Sequence, residues 1–129
     1  MSRPEDLKYA ATHEWVRVDG DIAEVGITDY ATEQLSDLAF VDLPAKGTPA
    51  SKNECFGEIE STKSVSDLLA PVSGEIIEVH TELADELEKI SSSPYGEGWM
   101  IRVRMSDPSQ LDSLLSAEEY AAQILTEEH

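Results

Sequence analysis

The sequence predicts an α+β domain dominated by antiparallel sheet, and three observations carry that prediction. Apolar and polar residues alternate cleanly in residues 100–105, with Ile101, Val103 and Met105 on one face and Arg102 and Arg104 on the other. Gly, Pro, Asp and Ser break the chain into short runs, as a succession of turns requires. The helix signals are few and short, one near residue 30 and the others at the C-terminal end. A chain of 129 residues is the length of one domain with a modest core, and neither a long linker nor a tandem repeat divides it. One domain over residues 1–129 is expected.

The elements follow in order. Residues 13–18 and 21–27 read as strands around Asp19-Gly20, a strong hairpin signal in which both turn positions would take positive φ. Thr28-Asp29 offers an N-cap for a short helix to about Leu35. Residues 38–43 return to strand and stop at Pro44 and Gly47. Residues 54–60 form a strand that Gly57 weakens, and Ser61-Thr62-Lys63-Ser64 is a small polar turn. Residues 65–69 are a short apolar strand ended by Pro71-Val72-Ser73-Gly74, and residues 76–79 continue the sheet. Residues 54–79 therefore form a hairpin unit with one lysine at its first tip. Residues 83–90 have some helical potential. Asp107-Pro108 opens a helix with Pro at its first position, and Ser116-x-x-Glu119 is a capping box for a last helix. These helices occupy about 108–126, with Tyr120, Ile124 and Leu125 as the apolar stripe of the last one.

Charge narrows the function. Nine basic residues against 27 acidic ones give a net charge of −18. Such a surface repels a phosphate backbone, since nucleic-acid affinity depends on cationic neutralisation. Partners with basic docking patches fit it, and self-repulsion favours a soluble monomer. No apolar run reaches the ~20 residues of a membrane-spanning helix. Residues 1–6 lack a signal peptide's apolar stretch and a transit sequence's arginine-rich one, so a cytoplasmic location is expected. The single cysteine, Cys55, forms no internal disulfide and is expected as a small buried hydrophobe.

An enzyme built on the chain's own side chains is poorly supported. His13-Glu14-Trp15 begins like a zincin motif, but no histidine follows at the required spacing. Neither a Gly-x-Ser-x-Gly elbow nor a phosphate-binding glycine loop occurs. Lys63 stands apart, because it is the only basic residue between Lys52 and Lys89. A covalent carrier needs an amine on a protruding turn with small neighbours, and Ser61, Thr62 and Ser64 supply them. Glu58, Glu60 and Asp67 could guide a basic modifying enzyme. Spacing alone favours an ordinary solvated turn lysine.

Gly57-Glu58-Ile59-Glu60-Ser61-Thr62-Lys63-Ser64-Val65-Ser66-Asp67, followed by Ala70-Pro71-Val72-Ser73-Gly74-Glu75, resembles the lipoyl-attachment segment of the glycine cleavage system H-protein family. Lys8-Tyr9, Thr12-His13-Glu14-Trp15, Val25-Gly26-Ile27-Thr28-Asp29-Tyr30-Ala31, Pro94-Tyr95-Gly96-Glu97-Gly98-Trp99 and Glu119-Tyr120 resemble further signatures of the family. The likeness runs from about Leu7 to Leu125. It implies an antiparallel sandwich of the lipoyl/biotinyl-carrier type and a lipoate in amide linkage to Lys63. It also implies a non-catalytic carrier serving three enzymes: a pyridoxal-phosphate glycine decarboxylase, a tetrahydrofolate-dependent aminomethyltransferase and dihydrolipoyl dehydrogenase. A lipoate-attaching enzyme would modify it. The family shelters its loaded arm in a cleft, which points to Glu14 and Asp67 as partners of the arm's cationic amine. Otherwise Glu14 is a solvated strand end and Asp67 a turn cap. Residues 85–93 are looser than the family's usual segment, and Thr12 and Gln34 stand at variable positions.

Biotin carriers usually set their lysine between methionines, and lipoyl domains of 2-oxo acid dehydrogenases usually place Asp before it. Thr62 and Ser64 fit neither. An H-like protein relaying lipoyl groups to other enzymes, or an unmodified acidic interaction module, are the remaining readings.

Overall fold

The computed structural model of the protein describes residues 6–35 and 37–127, the last by its backbone alone. Among these residues nine strands, three α-helices and two 3-10 turns follow in chain order: β1 Lys8–Tyr9, β2 Glu14–Asp19, β3 Ile22–Ile27, α1 Asp29–Leu35, β4 Leu38–Asp42, β5 Pro49–Ala50, β6 Cys55–Ser61, β7 Val65–Leu69 and β8 Gly74–Val79. Then come a 3-10 turn Thr81–Asp85, α2 Glu88–Ser92, β9 Ile101–Met105, a second 3-10 turn Pro108–Ser113 and α3 Ala117–Glu127. The strands form two antiparallel sheets, one ordered β1-β2-β3-β9-β8-β5 and the other β4-β6-β7. No helix among the described residues is long and apolar enough to cross a membrane.

Local chemistry explains several boundaries. Thr28 caps α1 by accepting from Ala31 N–H. Ser116 and Glu119 form the reciprocal box at the start of α3, with Ser116 N–H donating to the carboxylate and Glu119 N–H to the hydroxyl. On β9, Ile101, Val103 and Met105 are buried, while Arg102 and Arg104 face outward. The hairpin turn sits one residue later than expected. Asp19 pairs with Ile22, so Gly20-Asp21 is the loop, and only Gly20 takes positive φ, at 65°. That is the type II′ pattern, which needs a glycine at the first central position alone.

Other expectations are corrected. Cys55 is exposed and donates its thiol to Gly57 C=O; it starts the strand where a bulge interrupts pairing with β7. Leu125 lies outside the apolar stripe of α3, which Tyr120 and Ile124 bury. The segment after Pro108 is a 3-10 turn instead of an α-helix, and its N-cap is the Asp107 side chain. The 65–69 strand is buried only towards Leu68 and Leu69, since Val65, Ser66 and Asp67 are exposed. The two-residue strands β1 and β5 lay below the sequence signal.

Three apolar clusters hold the layers. Val16, Val25, Ile76, Ile101 and Val103 line the buried face of the large sheet. Ile27, Leu35, Val41, Ile59, Leu68, Leu83, Ile90 and Met100 join the small sheet to α1, α2 and one end of the large sheet. Leu7, Tyr9, Trp15, Tyr30, Tyr120 and Ile124 seat α3. The hairpin β6–β7 thus stands on a firm base with its tip outward.

Candidate functional site

Lys63 lies at that tip, beyond the last strand pair, Glu60 opposite Val65. A serine builds the turn. Ser61 N–H donates to Ser64 C=O at 2.8 Å, and Ser61 Oγ accepts from the Lys63 and Ser64 N–H groups at 3.2 and 3.1 Å. Thr62 N–H donates to Asp37 C=O at 3.0 Å, tying the tip to the segment before β4. Ser61 is buried, whereas Thr62, Lys63 and Ser64 are exposed. The backbone is fixed and the amine is free: among the described residues the Lys63 ammonium makes no ion pair. An amine held this way is open to acylation without first breaking a contact.

A cleft of about 670 Å³ opens beside the turn, beginning at Ser64. Ile27, Leu35, Ile59 and Leu68 give it an apolar floor, and Thr12, His13, Glu14 and Tyr30 form its far wall. Ser66 and Asp67 edge it on the β7 side. A second hollow of similar volume, lined by Asp37, Leu38, Ala84, Asp85 and α2 residues, also adjoins the turn through Asp37, but its carboxylates are all exposed.

Glu14 is the chemically unusual member. It is 2% exposed, so its position as a solvated strand end is ruled out. Thr12 Oγ1 donates to its Oε1 and Leu69 N–H to its Oε2 at 3.3 Å. Burial pushes the carboxyl up from 4.5 to about 7, with the Thr12 and Leu69 hydrogen bonds pulling the other way. A carboxyl in this state changes charge near neutrality, and a cation entering the cleft would favour its ionised form.

The aim of Glu14 is set by its neighbour. His13 takes a φ of 79°, an uncommon conformation for a residue with a side chain. Its N–H donates to Ala10 C=O, and its C=O accepts from Thr28 N–H. The imidazole tilts against Tyr30 with centroids 4.9 Å apart, and Nδ1 lies 2.7 Å from the Tyr120 hydroxyl. That hydroxyl also meets Thr28 Oγ1 at 2.6 Å. The last helix therefore clamps the turn that points Glu14 into the cleft.

Asp67 is exposed on the edge strand β7, opposite Glu58, and is part of the strand instead of a turn cap. It reaches the cleft at its rim. The structure thus brings the three sequence-derived candidates to one region: Asp67 on the rim of the cleft, Glu14 in its wall and Lys63 on the adjoining turn, next to Ser64 at the cleft's edge. Sequence reasoning missed the Leu69 N–H that anchors Glu14, and the contact of Tyr120 with His13. The signals for Tyr120 were its place in the apolar stripe of the last helix and, with Glu119, in a family signature; neither named His13 as its partner.

The geometry agrees with three comparisons. A family model described as glycine cleavage H-protein matches residues 7–127. The chain is similar to the "Glycine cleavage system H protein" of Rubrobacter xylanophilus, 54% identical over 125 residues and 97% of each chain. It is also similar to the protein of that name from a Cyanothece species, 50% identical over 124 residues and 96% of each. The crystal structure of a glycine cleavage system H protein from Mycobacterium marinum superposes with a TM-score of 0.87 at 45% identity, covering 95% of this chain and 98% of that one.

Proposed function

Because the chain belongs to the glycine cleavage H-protein family, we propose that it is the lipoyl-carrying shuttle of a glycine cleavage system, with lipoate amide-linked to Lys63. The observation that carries this reading is an exposed amine on a fixed turn, adjoining a cleft with a buried carboxylate in its wall. When attached, the lipoyl group supplies the sulfur that carries an aminomethyl group from a pyridoxal-phosphate glycine decarboxylase to a tetrahydrofolate-dependent aminomethyltransferase, and the dithiol that dihydrolipoyl dehydrogenase reoxidises.

The residues present fit such a group. Lys63 Nζ is free for acylation by a lipoate-attaching enzyme. The floor of Ile27, Leu35, Ile59 and Leu68 suits an aliphatic arm. Glu14 and Asp67 bind the cationic amine at its end, Glu14 within the wall and Asp67 from the rim. The apolar floor and the seated arm exclude water from that amine. The chain itself performs no bond chemistry in this scheme; it holds, orients and shields.

Reconstitution tests the role. With the three enzymes, tetrahydrofolate and NAD⁺, glycine-dependent NADH formation should saturate with lipoylated chain and be absent with Lys63→Arg. NADH formation by the Lys63→Arg chain would place the attachment elsewhere. Shelter is tested separately by ammonia release from loaded carrier without the transferase. Loss of one charge-assisted hydrogen bond in Glu14→Ala should raise that release about tenfold. Equal rates for the two carriers would remove Glu14 from the role.

A further inference from the structure

Apart from Asp67, the outward face of the small sheet has a composition that the carrier scheme leaves unused. Strand register places Phe40, Glu60 and Val65 directly opposite one another in one row across β4, β6 and β7. The next row on the same face is Asp42, Glu58 and Asp67. The alternate residues Val41, Ile59 and Leu68 are buried, which fixes the side-chain parity of each strand. Phe40 is 50% and Val65 54% exposed. Only four large apolar side chains among the described residues are exposed, and two of them stand in this row.

Electrostatics on this face has one sign. The residues of β4, β6 and β7 include four carboxylates, Asp42, Glu58, Glu60 and Asp67, and not one lysine or arginine. The row Asp42, Glu58, Asp67 is exposed throughout, and no described cation pairs with it. The apolar row is the closer of the two to Lys63, since Glu60 and Val65 close the strand ladder immediately before the turn. The second row lies roughly 7 Å further from the tip, two strand residues on.

We infer that this face is the docking surface for the enzyme that acylates Lys63, and that this enzyme offers an apolar seat for Phe40 and Val65 rimmed by lysine or arginine. The inference rests on the lipoyl-carrier reading. That enzyme must select one amine among five lysines before any arm exists, and Thr62 and Ser64 are too small to specify it. The adjacent row supplies shape, and the carboxylates supply long-range attraction and orientation. In the step itself, Nζ attacks the carbonyl of a lipoyl-adenylate made from lipoate and ATP. The amide C–N bond forms, the anhydride C–O bond breaks, AMP leaves and the ammonium gives up two protons.

Steady-state acylation of the unmodified full chain by a lipoate ligase, with lipoate and ATP, tests the inference. Phe40→Ser/Val65→Ser should raise KM for the chain at least tenfold with kcat within twofold. Asp42→Asn/Glu58→Gln should raise it about fivefold in low salt, and the gap should close near 0.5 M salt, where the Debye length falls to about 4 Å. Val18→Ser/Leu125→Ser, exposed elsewhere, should leave KM unchanged. Circular dichroism confirms that each variant is folded. KM within twofold of wild type for both face variants, with Lys63 still acylated, overturns the docking surface and leaves the carrier intact. Unchanged acylation KM with a raised KM toward glycine decarboxylase also overturns it, because the face would serve another partner. Failure to acylate the wild-type chain, under conditions that modify a known lipoyl domain, instead overturns the carrier reading.

Discussion

On the large sheet both faces have partners. Its inner face packs Val16, Val25, Ile76 and Ile101, and its outer face is laced by arginines. Arg17 and Arg102 both pair with Glu24, at 2.7 and 2.8 Å, and Arg102 also pairs with Glu78 at 3.0 Å. Arg102 lies 4.0 Å above the Trp99 ring and Arg17 5.1 Å above Trp15. On the small sheet only the inner face is filled. Among the described residues, its outer face leaves Phe40, Val65 and a row of carboxylates without such partners. The difference teaches where each sheet's chemistry is directed: the large sheet holds the molecule together, and the small one leaves Lys63 and its surroundings open to solvent.

The sharpest way to break that contrast is a substitution in the large sheet. Trp15 is fully buried, its Nε1–H donates to Pro94 C=O at 2.8 Å, and its ring lies where a side chain on Gly26 would begin. Trp15→Ala should cost about 3–5 kcal/mol in urea unfolding. A loss below about 1 kcal/mol would show that the large sheet is not the stabilising half.

Glu14 sits where the two regions meet and gives the next effect. Its folded pKa, about 7, lies above the ordinary 4.5. The folded state therefore binds the proton more tightly, and the stability contributed by the neutral carboxyl is lost as pH rises from about 4.5 to about 7. Glu14→Gln keeps a neutral polar group there, so it should be more stable than wild type at pH 8, by up to about 3 kcal/mol, and nearly equal to it at pH 4.5. Urea melts at the two pH values check this; a gap that narrows as pH rises would contradict the burial argument.

The smallest effect belongs to the small sheet's outer face. Phe40→Ser should change stability by less than about 1 kcal/mol, because half of the ring is already in water. A thermal melt that drops as far as that of Trp15→Ala would mean the outer face is structural after all.

How much of this was legible in the sequence depended on how local the cause was. The Thr28 cap, the Ser116–Glu119 box and the alternation of β9 were readable because each depends on residues within a few positions. The first hairpin slipped by one residue because pairing across β2 and β3, not the dipeptide, sets the loop. Cys55 and Leu125 were misplaced because their own composition does not say which face the rest of the chain will cover. Lys63 was legible through a motif of consecutive residues. The cleft beside it was not, since its floor comes from Ile27, Leu35, Ile59 and Leu68 on four separate elements. The contact of His13 with Tyr120 spans 107 positions and left no local trace.

The most direct test of the central claim is the intact mass and peptide map of the chain after incubation with a lipoate ligase, lipoate and ATP. One lipoyl adduct, on the peptide containing Lys63 and absent from Lys63→Arg, is the result expected. An adduct on another lysine, or none while a known lipoyl domain is modified alongside, would contradict the account and leave Lys63 an ordinary turn residue.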